Sequence, residues 1–372
     1  MKKRMLCAVL GVSMVLSMTA CGSGAKEETT AAQTTAAATT AAETKAPETT
    51  AAETKAETTA AESTEAAAQD SDDEAWKQEP AYGQPIHYWL SDGCTSGPRV
   101  ADMKGFFEEQ GLTAEGVKGS SYTEALGTGV ADVAVGHIAT MLVPCTNGVD
   151  LTFVGGAHVG CKSLYVLGDS EYQSTEDLRG TNVSVPNGIG ASDYNITARL
   201  LNRDGVNPLN DVKLMQVAVD ACIPAMEKGE ISAALLSDTY AYHMVEDGKL
   251  RKIRSLFDDD FKIEPCCIIA MNATFVKENP ITSRKVATAV QNAHAWMREN
   301  PEEATQFLID EGLNSEDFEM NLEINKLQSF GLEDDFTSDA LKKIIDEYIE
   351  LGLITSTDDS DAVFEKAWTP VR

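Results

Sequence analysis

Residues 112–136 read LTAEGVKGSSYTEALGTGVADVAVG, and their pattern decides the fold. A short β-like run, LTAEGVK (112–118), is followed by a helical stretch, YTEALGTG (122–129), and by a second β-like run, VADVAVG (130–136). Alternation of strands and helices at this spacing predicts a mostly parallel sheet covered by helices. The fold class expected from it is α/β.

The same alternation extends to both sides of this stretch. PIHYWLS (85–91) precedes it, and DLTFVGGA (150–157) follows. After residue 167 a second series begins, with β-like runs at 181–187, 211–219 and 231–237. A second series of strands predicts a second sheet, because about 290 residues suffice for two domains.

The second series ends at a strand of different character. The strand is EPCCIIAMN (264–272), and the chain beyond it is mainly helical, with amphipathic stripes of apolar residues. We therefore expect two sheets, followed by a helical C-terminal part.

The N-terminus predicts an exported protein. Three basic residues precede an apolar run (5–18) that is too short for a permanent transmembrane helix, as in a secretory signal (1–20). The small residues before Cys21 resemble the bacterial lipobox, in which the cysteine carries diacylglycerol. Cys21 is therefore the expected lipidation site; the alternative is an ordinary signal with a chance cysteine. Acyl chains hold a protein on a membrane without a transmembrane helix.

Residues 21–82 predict a disordered tether. They consist almost entirely of Ala, Thr, Glu, Ser and Lys, with no large apolar side chain before Trp76. Such a composition buries too little surface to offset its conformational entropy. The formal net charge of −29 argues against nucleic-acid binding.

Several pieces of the remaining chain together resemble a known family. Their order is similar to that in the solute-binding proteins of nitrate, sulfonate and taurine ABC importers, a family that also covers the thiamine-pyrimidine synthases. The pieces are 105–136, 174–192, 220–238, 272–280 and 299–308. Single pieces are weak signals, but five in the family's order are strong.

The resemblance implies a two-lobed, type II periplasmic-binding-protein fold with two mostly parallel sheets and a ligand cleft between the lobes. Lobe 1 would comprise 83–163 and 267–372, and lobe 2 would comprise 164–266. The crossover segments would be Lys162–Asp169 and Lys262–Met271.

Ligands of open α/β sheets bind beyond the carboxyl ends of the strands. That rule selects polar or glycine-containing positions after the predicted strands. The predicted ligand-binding residues are Cys94, Thr95, Ser96, His137, Gly156 and His158 in lobe 1, and Gly188, Gly190, Ala191, Ser192, Asp238 and Tyr240 in lobe 2.

Two of these predictions have open alternatives. The loop from Gly188 to Ser192 could bind an anion through free N–H groups at a helix N-terminus, or could be a plain structural turn. Asp238 would suit an amine if it faces the cleft, but it could instead cap the following helix.

Six cysteines lie beyond the signal and the lipid site. They are Cys94, Cys145, Cys161, Cys222, Cys266 and Cys267, without CxxC or another metal-ligand spacing. Each alone is best interpreted as a small buried hydrophobe, and a Cys94–Cys161 disulfide is an alternative. A thiol and imidazole cluster for a soft metal, or for a ligand carrying one, also stays open. We expect no resident metal and no cofactor.

The predicted function is that of a binding module. A monomer, lipid-anchored on the outer face of the cell membrane, would capture a sulfonate, a nitrate-like anion or a pyrimidine or aromatic molecule and deliver it to an ABC permease and its ATPase. The lipid would be its only membrane contact. A metal- or metal-complex-binding surface protein is the alternative. An enzyme is not expected, because EPCCII does not reproduce the cysteine-rich iron motif of the thiamine-pyrimidine synthases.

Overall fold

The computed structural model describes residues 72–371. The predicted signal, Cys21 and the tether up to residue 71 lie outside this range. No helix in the described part of the chain is both long enough and apolar enough to cross a membrane.

The first sheet has five strands in the order β2-β1-β3-β10-β4. Four of them run in one direction, and β10 runs antiparallel between β3 and β4. The strands are β1 (Ile86–Trp89), β2 (Ala114–Val117), β3 (Val133–His137), β4 (Leu151–His158) and β10 (Cys267–Asn272).

The second sheet repeats this plan in the order β7-β6-β8-β5-β9. Here β5 is the one antiparallel strand, paired with β8 and β9. The strands are β5 (Lys162–Leu167), β6 (Asn182–Ser184), β7 (Lys213–Met215), β8 (Ala233–Ser237) and β9 (Leu250–Ser255). The prediction of two mostly parallel sheets is confirmed.

Helices cover both sheets. Those within the strand series are α1 (Gly97–Met103), α2 (Phe106–Glu109), α3 (Tyr122–Gly127), α4 (Ile138–Thr146), α5 (Ser192–Arg203), α6 (Val219–Glu227) and α7 (Asp238–Glu246). Those after β10 are α8 (Ala273–Glu278), α9 (Pro280–Glu299), α10 (Pro301–Asp310), α11 (Phe318–Gln328), α12 (Asp334–Glu350) and α13 (Ser360–Ala367).

Strand β10 explains how the first sheet is held. Its alternate residues pack on opposite faces: Ile269 and Met271 contact the side covered by α1 and α9, while Ile268 and Ala270 contact the side covered by α4 and α12. Full burial of an aliphatic side chain of this size contributes about 1.5–3 kcal/mol. The apolar run at 264–272 therefore contains an interior strand, β10, whose two faces are both buried.

The chain changes sheets at positions that differ from the predicted crossovers. It leaves the first sheet after His158 and enters the second at Lys162, so the passage is only residues 159–161. The predicted crossover at Lys162–Asp169 is mostly strand β5, and the predicted boundary after residue 163 falls inside that strand. The prediction failed here because β5 starts with the polar residues Lys162 and Ser163, directly after the short passage, so its start resembles a connection. The return runs from residue 256 to 266, so the predicted segment Lys262–Met271 extends well into β10.

The end of the predicted tether is folded. The Trp76 indole N–H donates to the Thr282 hydroxyl at 2.9 Å, and the Glu79 carboxylate accepts from the N–H groups of Ile281 and Thr282 at the start of α9. A carboxylate at this position satisfies helix N–H groups that have no partner within the helix. Residues 72–82 thus pack on the first sheet's helices, which corrects the predicted tether boundary at residue 82.

Candidate functional site

A cavity of about 500 Å³ lies between elements of the two sheets. Its walls come from the loop after β1, the end of β3, the passage into β5, the start of α7, and α11 with the loop before it. Another cavity, of about 570 Å³, is lined only by elements of the first sheet and its helices. The first cavity is therefore the candidate site, because a ligand there would touch both sheets.

The antiparallel strand β10 brings distant residues of the first sheet together. Its first residue, Cys267, is the register partner of both His137 at the end of β3 and His158 at the end of β4. The amino end of an antiparallel strand lies beside the carboxyl ends of its neighbours. Cys266 and Cys267 therefore meet the two histidines at the edge where ligands bind.

Cys161 completes this group from the passage between the sheets. Its Sγ lies 3.3 Å from His137 Nε2 and 3.4 Å from Cys266 Sγ. The potential ligand atoms of His137, Cys161, Cys266 and Cys267 all lie within 4.8 Å of one another. We call these four residues the thiol–imidazole cluster. None of the six cysteines in the described chain forms a disulfide.

Hydrogen bonds between the thiols change their acidity. Those from Cys161 and Cys267 lower the pKa of the Cys266 thiol to about 6. For Cys161 the bond with Cys266 raises the pKa, but the bonds with Cys267 and Cys94 outweigh it and bring it to about 6. Burial raises the pKa of Cys267 well above its usual value. The cluster thus favours a shared negative charge.

His137 stabilises that charge. Burial lowers its pKa, but the attraction and hydrogen bond of Cys161 outweigh burial, so the pKa lies above its usual value. An imidazolium beside a thiolate is the resulting arrangement.

The predicted contact His158 lies behind the cluster rather than on the cavity wall. It is fully buried, its Nδ1 lies 3.0 Å from the Val159 carbonyl oxygen, and its ring packs on Phe330. The ring of His294, equally buried, also packs on Phe330. Burial, and then the charge of the nearby His158, lower the pKa of His294 to about 3. Sequence reasoning did not select His294, because it lies in the middle of an amphipathic helix.

Of the other predicted residues in the first sheet's part, Cys94 lines the cavity. The Thr95 and Ser96 hydroxyls donate to the Asp92 and Gly93 carbonyls, so they hold their own loop. Gly156 is a packing position, because a Cβ there would lie 2.2 Å from Thr337 Oγ1.

The predicted loop from Gly188 to Ser192 does not line the cavity. Gly188 and Gly190 have φ of +88° and +82°, values that glycine adopts easily. Ala191 is the N-cap of α5, and Ser192 is buried. The Asp193 carboxylate accepts from the Asn187 N–H at 3.0 Å and pairs with Lys162. The Asp193 carboxylate therefore already occupies the N-terminus of α5, where the predicted anion would bind.

Asp238 faces the second sheet instead of the cavity. Its carboxylate accepts from the hydroxyls of Ser163 and Tyr165, at 2.7 and 2.6 Å, and pairs with Lys252 at 2.7 Å. The helix cap is the preceding Ser237, whose hydroxyl accepts from the Tyr240 N–H. Tyr240 lines the cavity together with Ser237 and Thr239.

Sequence reasoning missed the wall of the cavity that the C-terminal helices form. Residues 312–315 and α11 contribute its largest share, and Lys162 also lines it. The lining residues of α11 are Met320, Asn321, Ile324, Asn325 and Gln328. Their amides recur at helical spacing, which is the signal that marks this face. The Oε1 of Gln328, which is 3% exposed, has no hydrogen-bond partner among the described residues.

Comparison with known proteins agrees with this geometry. The model of the NMT1/THI5-like family matches residues 96–304, more than half of the 372 residues. Among curated proteins, none matches this sequence.

Solved structures share the fold at low sequence identity. The periplasmic aliphatic sulphonate-binding protein SsuA from Escherichia coli has a TM-score of 0.61 and 16% identity over 77% of this chain and 92% of its own. The periplasmic nitrate-binding protein NrtA from Synechocystis PCC 6803 has a TM-score of 0.58 and 16% identity over 76% and 85%. DszB in complex with biphenyl-2-sulfinic acid has a TM-score of 0.53 and 13% identity over 77% and 96%.

The two sheets with the cleft between them are thus the periplasmic-binding-protein fold, as the sequence predicts. The family match and the structural neighbours confirm the resemblance carried by the five sequence pieces. The chain belongs to the NMT1/THI5-like family, whose fold is that of the sulfonate- and nitrate-binding proteins of ABC importers.

Proposed function

We propose that this protein is the lipid-anchored receptor of an ABC importer, capturing a small solute between its two sheets and delivering it to a permease. The observation that carries the proposal is the cavity of about 500 Å³ with walls from both sheets. A ligand drives closure only if it contacts both moving parts. The receptor itself performs no chemistry in this proposal and acts as a monomer on the outer face of the membrane.

The size and lining of the cavity favour a small organic solute with a polar group. A volume of about 500 Å³ is within the usual range for such ligands and far exceeds what a nitrate ion needs. Leu313, Met320 and Ile324 supply apolar wall, while Ser237 and Thr239 supply hydroxyls. Among the predicted classes, sulfonates and pyrimidines fit this wall better than nitrate.

A blocking substitution tests the capture site. Thr239 is exposed at the cavity mouth, and Thr239→Trp would fill the space without disturbing the core. We expect the full chain to gain several degrees of melting temperature with one member of a panel of alkanesulfonates, pyrimidines and nitrate, and Thr239→Trp to lose that gain. The control is Thr274→Trp, an exposed threonine of α8 outside the cavity. Equal loss in both variants would contradict the proposal.

The lipid anchor has its own test. If Cys21 carries diacylglycerol, Cys21→Ser should release the protein from the cell into the medium, and intact protein should sediment with membranes. Release of both the intact protein and Cys21→Ser into the medium would contradict the lipid anchor but not the proposed capture of a solute.

A further inference from the structure

The thiol–imidazole cluster is assembled from three separate parts of the chain. His137 ends β3, Cys161 lies in the passage between the sheets, and Cys266 with Cys267 opens β10. Three thiols and one imidazole converge so that every potential ligand atom lies within 4.8 Å of the others. Packing alone does not require these residues, 130 positions apart in the sequence at most, to lie together, because a thiol packs equally well among aliphatic side chains.

The spacing of these atoms suits a tetrahedral metal ion. Sulfur and nitrogen ligands at ordinary Zn²⁺ distances lie about 3.5 to 3.8 Å apart from each other. The separation of His137 Nε2 from Cys161 Sγ is 3.3 Å, and that of Cys161 Sγ from Cys266 Sγ is 3.4 Å, each shorter than this by a few tenths of an ångström. Small side-chain rotations would centre an ion.

The backbone holds Cys161 in an unusual conformation. Its φ is 111°, and among the described residues Ser329 is the other non-glycine residue with positive φ. Such strain persists where the surrounding structure fixes it, and it concentrates at functional sites. The neighbouring Gly160 is part of this restraint, because a Cβ there would lie 1.8 Å from the Phe257 ring.

The cluster is reachable from the cleft. His137 and Cys161 line the cavity, as does Cys94, whereas Cys267 is fully buried behind them. Of the cluster, an ion entering the cleft would therefore meet His137 and Cys161 first, and then Cys266 and Cys267. Cys145 and Cys222 lie elsewhere in the fold, each buried in an apolar core.

We propose that His137, Cys161, Cys266 and Cys267 form a Cys₃His site for a thiophilic d¹⁰ cation, Zn²⁺ or Cu⁺. This set of soft sulfur ligands with one imidazole is the one such ions prefer. The proposal rests on the proposed receptor function and names its solute class: the cation itself, or a small complex that carries it into the adjoining cavity. It also departs from the expectation of no metal that the sequence alone gives.

Binding must displace protons, because thiolates rather than thiols are the ligands. Each thiol that binds the cation releases its proton to solvent, and no oxidant or reductant is consumed. The competing state is a disulfide between Cys161 and Cys266, which would remove two ligands and release two electrons to an oxidant.

The experiment uses the full chain, reduced and kept without oxygen. Titration with Co²⁺ as a spectroscopic probe should give thiolate charge-transfer bands that saturate at about one ion per chain, and Zn²⁺ should displace them. Cys266→Ser should weaken Co²⁺ and Zn²⁺ binding by more than about tenfold, whereas the control Cys145→Ser should bind as the unchanged protein does.

A second measurement needs no variant. Zn²⁺ should protect Cys161, Cys266 and Cys267 from alkylation in the unchanged protein, while Cys94, Cys145 and Cys222 keep their rates. Absence of saturable Co²⁺ bands, or alkylation of these thiols at the same rate with and without Zn²⁺, would overturn the metal site.

Failure of this inference and failure of the receptor proposal are distinguishable. If an organic sulfonate stabilises the protein and no metal binds, the receptor proposal survives and the metal site falls. If Zn²⁺ binds, equilibrium dialysis with the free ion and with preformed Zn²⁺ chelates separates the two solute forms. Retention of the intact chelate by the unchanged protein but not by Thr239→Trp would identify the complex, and equal retention of the free ion by both would identify the cation.

Discussion

Helices α5 and α7 belong to the same sheet, and both contact the helices after β10, but they do so in opposite ways. Arg199 of α5 pairs with Glu264 at 2.6 Å and with Glu347 of α12 at 2.7 Å. Its side chain is 7% exposed, and those of its two partners are 8% and 12% exposed. We call these residues the hinge-side network, because Glu264 lies in the return passage between the sheets.

The contacts of α7 lie in solvent. The Tyr242 hydroxyl donates to Glu323 of α11 at 2.5 Å, and His243 pairs with Asp317. His243 is 61% exposed there. We call these four residues the mouth contacts, since α11 forms one wall of the cavity.

The difference indicates which contact moves. A buried network of charges cannot open without leaving ions unpaired in a medium of low polarity, which costs several kcal/mol. Exposed pairs exchange with water at little cost. If the two sheets separate to admit a solute, the mouth contacts should break while the hinge-side network persists.

The largest expected effect comes from breaking the hinge-side network. Arg199→Ala would leave Glu264 and Glu347 buried beside each other, with only Arg203 to pair with both. We expect a loss of about 3–5 kcal/mol in the free energy of unfolding, measured by urea denaturation. The matched control is Arg284→Ala, whose pair with Asp72 is exposed and should contribute under about 1 kcal/mol. Similar losses in both variants would contradict the comparison.

The fold was largely predictable because the spacing of apolar residues along the sequence shows which side chains of each helix or strand are buried. Two successive series of alternating strands and helices indicate two sheets without any contact information. The sequence analysis misplaced the passage from the first sheet to the second because that passage, 159–161, is only three residues long and has no distinctive composition. The strand that follows it, β5, begins with the polar residues Lys162 and Ser163, which look like part of a connection.

The candidate site was predictable only in part. The rule that ligands bind beyond the carboxyl ends of strands selects His137 and Cys94, which line the cavity. It also selects Asp238, whose carboxylate contacts side chains of the second sheet instead. The rule assumes parallel strands, so it gives no reason to expect Cys266 and Cys267 beside His137, since they open an antiparallel strand. Contributions from α11 depend on how the C-terminal helices fold back, which local sequence does not encode.

A smaller effect should follow from weakening the mouth contacts. Tyr242→Phe removes the hydroxyl that donates a hydrogen bond to Glu323. Because that hydrogen bond is exposed to solvent, the folded state should keep its stability. If this contact forms only when the cleft closes, the affinity for the captured solute should fall about two- to five-fold, through a faster dissociation rate. Tyr194→Phe is the control, since that tyrosine lies on α5 and not among the residues lining the cavity. Unchanged dissociation in Tyr242→Phe would mean that the mouth contacts do not hold the cleft closed.

The smallest effect is a pH dependence at the same place. Hydrogen bonds to Asp317 and then to Glu246 raise the pKa of His243. Tyr242, whose hydroxyl donates to Glu323, packs edge-on against the His243 ring. A raised pKa means that the contact contributes fully below about pH 6.5 and is lost as the pH rises through the higher value. The Asp317 carboxylate, whose pKa is lowered by the Met320 N–H and by His243, stays charged throughout that window. Solute affinity should therefore fall by at most about two- to three-fold between pH 6 and pH 8, and His243→Asn should flatten that profile. A profile of the opposite slope, or one that His243→Asn leaves unchanged, would assign the pH dependence to the buried thiol–imidazole cluster instead of the mouth.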